Sequence, residues 1–534
     1  MKVKNWLISI FCSLSLTVAA QEFIHPGMLH SKTSLERIHG LVEKKAQPAY
    51  GSFLLLRGLP ESSAQYCMKG PFETISRDGQ YSFTKDPSER DFNASYYNSL
   101  LWVITGNRAH ADKAMEIIRG YANTLKTIPP TNDAPLCAGL QGFMLVNAAE
   151  IMRYTYTSAV YENGWSSADT EITERMFHEV FQPVLTKFYQ RKPYTNGNWG
   201  AAVTKAQLAF GIFLNDRKLY NDGIEFFYHG KDNGSLPNYI SETGQIQESG
   251  RDQPHCMLGV GCLAEIAEIA WTQGQDLYSA LDNRIMKGYE YLSKSNLGYD
   301  VPFVTWKDMT GKYSNWQNLG QDGMGKFRSV FEIGYNHYVE RKGLEMPYTK
   351  MVLGRIRPEG SGFTCDNPGF GTLLFYLGKT ITNEKEEGRI DEDLTQLQGW
   401  TLATASFKPV NGVMSLMSSG AKMQKRGIRY TAGKYPYIAV KAPRLPQKGT
   451  REWLQLCYSV NSGPEFWKLD TTKAIRRGKD MYIFHIADIQ SNNGTHFTER
   501  GASITLILDF GETYGEPVVI DWIRSFERIE DIHE

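Results

Sequence analysis

The spacing of apolar residues changes once along this chain of 534 residues. From about residue 30 to 380 they recur at helical spacing, and clusters of Gly and Pro separate the segments. Many antiparallel helices with no strand pattern between them predict an all-α array such as an α/α toroid, an incomplete barrel of antiparallel helices. The predicted helical segments are 96–105, 110–127, 140–156, 172–189, 199–214, 256–272, 277–293 and 327–341.

The last 136 residues show the alternation of a half-buried strand instead. Ile504, Leu506 and Leu508 alternate with Ser503, Thr505 and Asp509. Short, regularly spaced strands with Gly and Asn turns predict a β-sandwich. The other predicted strands are 401–407, 435–440, 453–460, 482–489 and 518–523.

These patterns divide the chain into four parts. Lys2 and Lys4, an apolar run over 7–18 and the small residues at 18–20 predict a secretory signal peptide over 1–20 and an exported protein, periplasmic or secreted. Residues 21–382 form the predicted toroid, the charged stretch 383–398 a linker, and 399–534 the β-sandwich. No later run is long and apolar enough to predict a membrane span.

The charge balance limits the classes of partner. The chain has 58 basic and 58 acidic side chains and no basic stripe, which excludes a typical nucleic-acid binder. Aromatic residues make up 12% of the chain, which suits stacking surfaces for sugar rings, although cores also use aromatics. The oligomeric state is left open by these features.

The segment 248–256, E-S-G-R-D-Q-P-H-C, is the densest group of polar residues before a predicted helix. Pro254 suits the first helical position and Gln253 the position before it. Arg251 and His255 therefore lie beside a helix N-terminus, where backbone N–H groups and the helix dipole favour an anion. This pattern predicts a site for a carboxylate substrate; the alternative is a capped helix start with surface charges.

Four motifs stand out in the helical half: D-F-N-A-S-Y-Y-N at 91–98 with L-W-V-I-T-G at 101–106, N-G-N-W at 196–199, E-S-G-R-D-Q-P-H at 248–255, and F-E-I-G-Y-N-H-Y at 331–338. In this order they resemble the alginate-lyase-like α/α-toroid polysaccharide lyases, over roughly residues 25–379. Within that group the chain most resembles polysaccharide lyase family 38. Some relatives have Asn-His where this chain has Asn198 and Trp199, so their catalytic His is not carried over to that position. The β-rich tail lies outside the resemblance and looks like a carbohydrate-binding module.

The resemblance implies β-elimination on a 4-linked uronate polymer. A base removes the C5 proton, and an acid protonates the departing O4. The C5 proton is barely acidic while the neighbouring carboxylate is charged, so donors that neutralise the carboxylate stabilise the enolate-like intermediate. Asn198 and Arg251 have the chemistry for this role.

The base and the acid must be proton carriers within hydrogen-bond reach of the substrate, and His255, Tyr299 and Tyr335 are the candidates. Tyr299 is favoured because it follows Gly298 in a loop where a functional side chain can project. In mannuronate and glucuronate the C5 proton and O4 leave from the same face, so one Tyr can serve both steps, whereas guluronate needs two groups. A packing role for Tyr299 and a capping or orienting role for His255 are the alternatives.

Further residues of the motifs are predicted substrate contacts. Arg328, Glu332 and Tyr335 share one helix face at i, i+4 and i+7, which suits either a site-lining face or a solvated ion-pair face. No metal-binding pattern joins His255 to His337, so neither a metal nor another cofactor is predicted. The predicted substrate-binding residues are Trp199, Glu248, Gln253, Arg328, Tyr335, His337 and Tyr96.

Three function classes follow. The favoured one is an exported lyase that cleaves an acidic polysaccharide, either mannuronate-rich alginate or glucuronan, to unsaturated uronides. The second is a toroid glycoside hydrolase that uses a carboxylate pair such as Glu248 and Asp252. The third is a non-catalytic glycan-binding protein. Only elimination creates a conjugated double bond that absorbs in the ultraviolet, which separates the first class from the others.

Overall fold

The structure is a computed structural model that describes most of the helical half and part of the β-rich half. The predicted signal peptide, 1–20, and much of the predicted linker lie outside the described residues. These are 22–379, 388–394, 399–402, 407–410, 413–416, 422–448, 451–460, 465–492, 494, 502–511 and 518–533.

The helical half contains sixteen described α-helices. Three π-helical turns continue them: Cys137–Gln141 joins α5 to α6, Phe177–Phe181 joins α7 to α8, and Asn336–Arg341 extends α14. The helices are α1 (Lys32–Glu43), α2 (Ala49–Arg57), α3 (Lys85–Thr105), α4 (Arg108–Thr124), α5 (Ala134–Leu136), α6 (Gly142–Thr155), α7 (Ser167–Met176), α8 (Gln182–Gln190), α9 (Gly197–Phe213), α10 (Arg217–His229), α11 (Leu236–Tyr239), α12 (Gln253–Thr272), α13 (Ala280–Asn296), α14 (Phe331–Tyr335), α15 (Pro347–Ile356) and α16 (Gly371–Leu374).

The helices pack into a ring, which confirms the predicted α/α toroid, although the ring closes where an incomplete barrel was predicted. Along the inner side α3 packs against α6, α6 against α9, α9 against α12, and α12 against α14. Helix α14 contacts α16, which contacts α1 and α2, and α1 returns to α3. Outside this ring α4 covers α3, α10 covers α9, and α13 covers α12. The chain therefore alternates between an inner and an outer layer.

The inner helices begin at one end of the ring. The Gln141 side-chain amide donates to Ser88 Oγ at 3.0 Å, which joins the start of α6 to the start of α3. Asn198, at the start of α9, donates to Glu248 in the segment before α12 at 2.7 Å. Loops that precede the inner helices therefore meet at the same face of the toroid.

Helix α3 begins eleven residues before the predicted segment 96–105, at Lys85. Its first turns bury polar groups, so they show no apolar stripe. Glu89 pairs with Arg77 at 2.6 Å. Asp91 accepts hydrogen bonds from the hydroxyls of Tyr66 at 2.9 Å and Tyr121 at 2.7 Å. Polar partners on other elements replace the apolar contacts on which the sequence prediction relied.

The C-terminal part forms two five-stranded antiparallel sheets, as predicted for a β-sandwich. Among the described strands the orders are β1-β14-β6-β12-β11 and β10-β9-β13-β5-β2, and β3-β4 and β7-β8 form two further antiparallel pairs. Strand β1 lies inside the predicted linker, because Asp391–Asp393 pairs with β14. The strands are β1 (Asp391–Asp393), β2 (Thr401–Leu402), β3 (Phe407–Val410), β4 (Val413–Leu416), β5 (Lys422–Tyr430), β6 (Tyr437–Lys441), β7 (Gln447–Lys448), β8 (Arg451–Glu452), β9 (Gln455–Val460), β10 (Phe466–Asp470), β11 (Ile475–Arg477), β12 (Met481–His485), β13 (Ala502–Asp509) and β14 (Trp522–Phe526).

Each half has its own hydrophobic core. The larger core contains only residues from Phe23 to Phe375, and the main core of the β-rich half contains only residues from Ile390 onward. The halves touch where α2 packs against β5 and α15 against β2. At this junction a Cβ on Gly427 would lie 3.3 Å from both the Gly51 carbonyl oxygen and Leu55, so the two backbones approach closely.

Among the described residues, one helix is long and apolar enough to cross a bilayer by length and composition. It is the continuous helix Ala134–Thr155, and 94% of its most apolar window is buried inside the protein. Such burial is typical of a core helix, and α6 indeed packs between α3 and α9 in the inner ring.

Candidate active site

Glu248 is the centre of a polar cluster between the starts of α9 and α12. Its carboxylate is fully buried and accepts hydrogen bonds from four groups. Asn198 donates its backbone N–H at 3.1 Å and its side-chain amide at 2.7 Å. The Tyr239 hydroxyl donates at 3.0 Å and Arg251 Nη1 at 2.9 Å. A buried carboxylate needs such partners, and here they fix Arg251 in place.

Arg251 lies at the edge of this cluster, with about a third of its side chain exposed (32%). Its Nε lies 3.2 Å from the Asp252 carboxylate, and its Nη2 lies 3.2 Å from His255 Nε2. The guanidinium is thus held on three sides by protein groups while one face reaches solvent. It is a cation positioned for an incoming anion.

His255 is oriented by Asp252. Its Nδ1 lies 2.8 Å from both carboxylate oxygens, and 38% of the side chain is exposed. Because Arg251 can only donate to Nε2, these partners assign the proton to Nδ1 and leave Nε2 as an acceptor. The imidazole therefore presents an acceptor nitrogen to the Arg251 guanidinium.

Asp252 also caps α12. It accepts the backbone N–H of His255 at 2.8 Å, and the helix begins at Gln253 with Pro254 in its first turn. The cap is thus one residue earlier than the sequence predicted. Burial alone would raise the pKa of the Asp252 carboxyl, but hydrogen bonds from His255 and the charge of Arg251 outweigh burial and lower this pKa. The carboxylate therefore stays ionised and keeps its hold on the imidazole.

A long loop between α13 and α14, residues 297–330, lies against this cluster. Its backbone N–H at Gly320 donates to the Ser249 carbonyl at 2.8 Å. Gln245 makes paired hydrogen bonds with the Val304 backbone, at 2.7 and 2.9 Å. Asn233 donates to Asp308 at 3.0 Å. Loops of this length without regular structure are usually functional, and here buried side chains from the toroid anchor it.

The loop brings aromatic rings to the cluster. A Cβ on Gly250 would lie 2.4 Å from Trp316 Cβ, so only glycine permits this approach directly before Arg251. Trp316 stacks on Tyr313 with ring centroids 5.8 Å apart. The Tyr313 hydroxyl donates to the Tyr194 carbonyl at 3.3 Å, and the Tyr194 ring meets the Trp199 ring at 6.5 Å. We call Tyr194, Trp199, Tyr313 and Trp316 the aromatic platform.

Sequence reasoning identified one member of the platform, Trp199, and missed the other three. Tyr194, Tyr313 and Trp316 lie in loops without periodicity, and all three are distant in sequence from the motif at 248–255. Gly250 was the available signal, because a glycine next to a functional cation often marks a close approach by another group.

The structure brings Asn198, Glu248, Arg251 and His255 together, and two of them are occupied by protein partners. Glu248 is fully buried, so it organises Asn198 and Arg251 and does not contact substrate. Asn198 is 1% exposed and donates its side-chain amide to Glu248. It was predicted to bind the substrate carboxylate, but its amide is already bonded to a carboxylate of the protein.

Tyr299 does not join the cluster. Its side chain is 40% exposed, and its ring lies 5.5 Å from Tyr348 at the start of α15. Its backbone N–H donates to the Lys294 carbonyl. Among the described contacts of Tyr299, none is with Arg251, Asp252 or His255, so the geometry favours His255 as the proton carrier.

Gln253 and Arg328 have structural partners near the site. Gln253 is buried, donates to the Gly320 carbonyl at 2.7 Å and accepts from Asn296 at 2.8 Å, so it anchors the loop and does not bind substrate. Arg328 lies before α14 and pairs with Asp366 at 2.9 Å. The predicted helix face shared by Arg328, Glu332 and Tyr335 does not exist, because α14 begins at Phe331.

Three other predicted contacts lie in the core, which corrects their role to packing. Tyr96 is fully buried and its hydroxyl lies 2.6 Å from His30. His337 is 1% exposed and stacks on Tyr278 at 3.7 Å. Tyr335 is 6% exposed, and its ring faces the Arg357 guanidinium at 5.5 Å. Their motif residues form the inner ring rather than the site.

No group of three or more His, Cys, Asp or Glu side chains within the described ranges is arranged to hold a metal ion.

The chain is similar to several known proteins. The family model described as alginate lyase matches residues 50–298, which include the polar cluster. No curated protein matches the chain. Alginate lyase A1-III from Sphingomonas species A1 is 14% identical, with a TM-score of 0.48 over 64% of this chain and 95% of that chain. An alginate lyase from Bacteroides ovatus is 12% identical, with a TM-score of 0.47 over 66% of this chain and 100% of that chain. Heparinase III is 10% identical, with a TM-score of 0.36 over 95% of this chain and 94% of that chain.

The family match covers residues 50–298, slightly less than half of the chain, and that segment contains the polar cluster. Over this segment the chain is similar to alginate lyases, which are polysaccharide lyases.

Proposed function

We propose that this protein cleaves a 4-linked uronate polymer of the alginate type, mannuronate-rich alginate or glucuronan, by β-elimination. The observation that carries the proposal is the Arg251–His255 pair. A guanidinium and an acceptor imidazole nitrogen lie 3.2 Å apart, each held by a buried carboxylate, at a solvent-facing edge. Elimination needs these two groups side by side, because the carboxylate and the proton that is removed are both attached to C5 of the sugar.

Arg251 would bind the carboxylate of the sugar that loses its proton. On binding, the guanidinium exchanges its contact with His255 Nε2 for the substrate carboxylate, while Glu248 and Asp252 keep holding it. Its positive charge stabilises the negative charge that develops when C5 is deprotonated.

His255 would act as the base and then as the acid. Nε2 takes the C5 proton, the C5 electron pair forms the C4–C5 double bond, and the C4–O4 bond breaks. The same Nε2 then gives its proton to O4, so one group serves both steps from one face of the sugar. This suits mannuronate and glucuronate, where proton and leaving group are on the same face. Asp252 stabilises the transient imidazolium.

The aromatic platform would bind a neighbouring sugar unit. Trp316 packs directly against Gly250, the residue before Arg251, so a chain bound at Arg251 continues over the rings. Arg191 lies 4.2 Å from the Tyr194 ring and supports it from behind. Stacking of aromatic rings on sugar faces adds affinity and does not depend on the charge of the sugar.

A hydrolase finds less support in the same cluster. The carboxylate pair that it would use, Glu248 and Asp252, is engaged by donors from Asn198, Tyr239, Arg251 and His255. Neither carboxyl is free to protonate a leaving group. Consistent with the sequence pattern at 1–20, we also propose that the protein is exported and meets its polymer outside the cytoplasm.

The test is an ultraviolet elimination assay on polymannuronate, polyguluronate, glucuronan and a neutral glucan. We expect new absorbance with polymannuronate or glucuronan and none with the neutral polymer. Release of reducing ends without new absorbance would identify a hydrolase and overturn the proposal.

The role of His255 is tested on the preferred polymer with His255→Ala and, as a matched control, His178→Ala. His178 is a surface imidazole on the π-helical turn Phe177–Phe181, paired with Gln182 at 2.6 Å. We expect His255→Ala to lower the elimination rate by a factor of about 10² to 10⁴, the usual range for general acid–base catalysis. Wild-type turnover by folded His255→Ala would exclude it as the base.

A further inference from the structure

A cavity of about 490 Å³ opens at the edge of one sheet of the β-sandwich, far along the chain from the polar cluster. Strand β11 forms the edge of this sheet, beside β12. The volume falls in the range of about 300–1,000 Å³ that small-ligand sites occupy. The lining residues are Gln447, Arg451, Glu452, Thr471, Thr472, Arg476 and Tyr482.

Two guanidinium groups and one carboxylate line this cavity, so its lining carries an excess of positive charge. Arg476 Nη2 donates to Glu452 at 2.6 Å and to the Lys479 carbonyl at 2.5 Å. The Tyr482 hydroxyl also donates to Glu452. The one acidic side chain is therefore already neutralised by the second cation.

The remaining charge belongs to Arg451. Its side chain is exposed and makes no hydrogen bond or ion pair with any described residue. A guanidinium presents five donors in a planar fork that matches a carboxylate. Gln447 and Thr472 add uncharged polar groups to the lining, which suit the hydroxyls of a sugar.

We propose that this cavity is a second binding site for the acidic polysaccharide, in which Arg451 pairs with the carboxylate of one uronate unit. The choice of ligand rests on the proposed function, because that function places the protein on a uronate polymer. The site would hold the polymer while the cluster at Arg251 cleaves it elsewhere along the same chain. Its ligand is recognised by one carboxylate beside hydroxyl groups.

Binding is measured by affinity electrophoresis of the full chain through gels that contain polymannuronate, glucuronan or a neutral glucan. The variants carry His255→Ala, so that the polymer stays intact, and add either Arg451→Gln or Arg451→Gln with Arg476→Gln. The control variant, Lys473→Gln with Lys479→Gln, loses two positive charges from exposed residues outside the cavity lining.

We expect Arg451→Gln to weaken binding to the uronate polymer by about tenfold, the effect of one charge-assisted hydrogen bond, and the control variant to bind normally. Arg451 has no protein partner to leave unpaired, so this variant tests the site even if the Arg476 change perturbs folding. Normal binding by Arg451→Gln, or an equal loss in the control, would overturn the proposal. Because binding is read without turnover, an absence of elimination activity would overturn the proposed function and leave this result standing.

A kinetic measurement separates the two sites. In an otherwise wild-type chain, Arg451→Gln should leave the elimination rate on a uronate tetramer unchanged and raise KM only for long polymer. An equal loss on the tetramer would place Arg451 in the reaction site and contradict a separate role.

Discussion

At the scale of single residues, the position of Arg251 is the most tightly fixed, because two carboxylates and one imidazole contact its guanidinium. Arg251→Ala should lower kcat by about 10²-fold or more, the loss for one donor that stabilises developing charge. Arg251→Lys keeps the charge but loses the fork, so it should recover part of the rate. Steady-state kinetics with folding checked by circular dichroism would decide this, and near-normal kcat in folded Arg251→Ala would exclude the role.

For Tyr299, in contrast to Arg251, we expect that substitution leaves the elimination rate nearly unchanged. The sequence favoured Tyr299 as the base, but its described contacts are with Tyr348 and the end of α13. Tyr299→Phe keeps the ring and removes only the hydroxyl, so with His255 as the base the variant should retain most of the elimination rate. Single-turnover elimination measures this. A loss of several orders of magnitude would return the proton-transfer role to Tyr299.

The residues that sequence could predict are those whose function depends on local spacing. Arg251 and His255 lie four residues apart at a helix start, and Pro254 identified that start almost to the residue. The roles of Glu248 and Asn198 could not be predicted, because their hydrogen bonds join positions fifty residues apart. The spacing in sequence contains no information about which carboxylate is buried.

At the scale of elements, the loop 297–330 is the part of the site with the weakest regular structure. The Asp308 carboxylate holds this loop in place. One of its oxygens accepts hydrogen bonds from Asn233 and Thr310. The other accepts from the Tyr313 backbone N–H at 3.0 Å and from the Ser314 hydroxyl at 2.7 Å. Burial would raise the pKa of Asp308, but these hydrogen bonds lower it from 3.8 to about 2. The loop therefore depends on an ionised carboxylate.

The pH dependence of this anchor has a definite sign. A pKa that is lower in the folded protein stabilises the fold at pH values above the unfolded pKa of 3.8, and the contribution is lost as the pH falls toward about 2. Asp308→Asn replaces one acceptor oxygen with a donor, so hydrogen exchange in the peptide 305–317 should be faster than in the wild-type protein at pH 7 and at pH 5. The difference should decrease as the pH falls from about 4 toward 2. A difference that is the same at all pH values would show that the charge has no part in anchoring the loop.

The prediction of elements was most accurate for helices that are buried on nearly all sides. The predicted segment 199–214 corresponds to α9 (Gly197–Phe213), and 256–272 to α12 (Gln253–Thr272). The segment 327–341 was less accurate, because its first four residues belong to the loop and the rest is partly π-helical. The loop itself could not be predicted, since its shape depends on Asn233, Gln245 and Gln253 reaching across from the toroid.

At the scale of the whole molecule, the sequence pattern separated an α half from a β half because each half buries its own core. The change in apolar spacing corresponds to that division, since the two cores share no residues. The exact residue at which the β half begins could not be predicted from the sequence pattern. Strand β1 begins among the charged residues of the predicted linker, where pairing with β14 through backbone hydrogen bonds does not require apolar side chains.

The two separate cores give the last prediction. A chain that ends at residue 379 retains the polar cluster, the loop 297–330 and the whole of the larger core, so it should fold and cleave uronate tetramers at the wild-type rate. It loses the contacts of α2 with β5 and of α15 with β2, which exposes the side of α2 that carries Leu55, so its melting temperature should be lower. It also loses the cavity at Arg451, so its KM for long polymer should rise. Calorimetry and elimination kinetics on tetramer and polymer measure the three effects. A folded, truncated chain without activity on tetramers would show that the β-sandwich completes the reaction site.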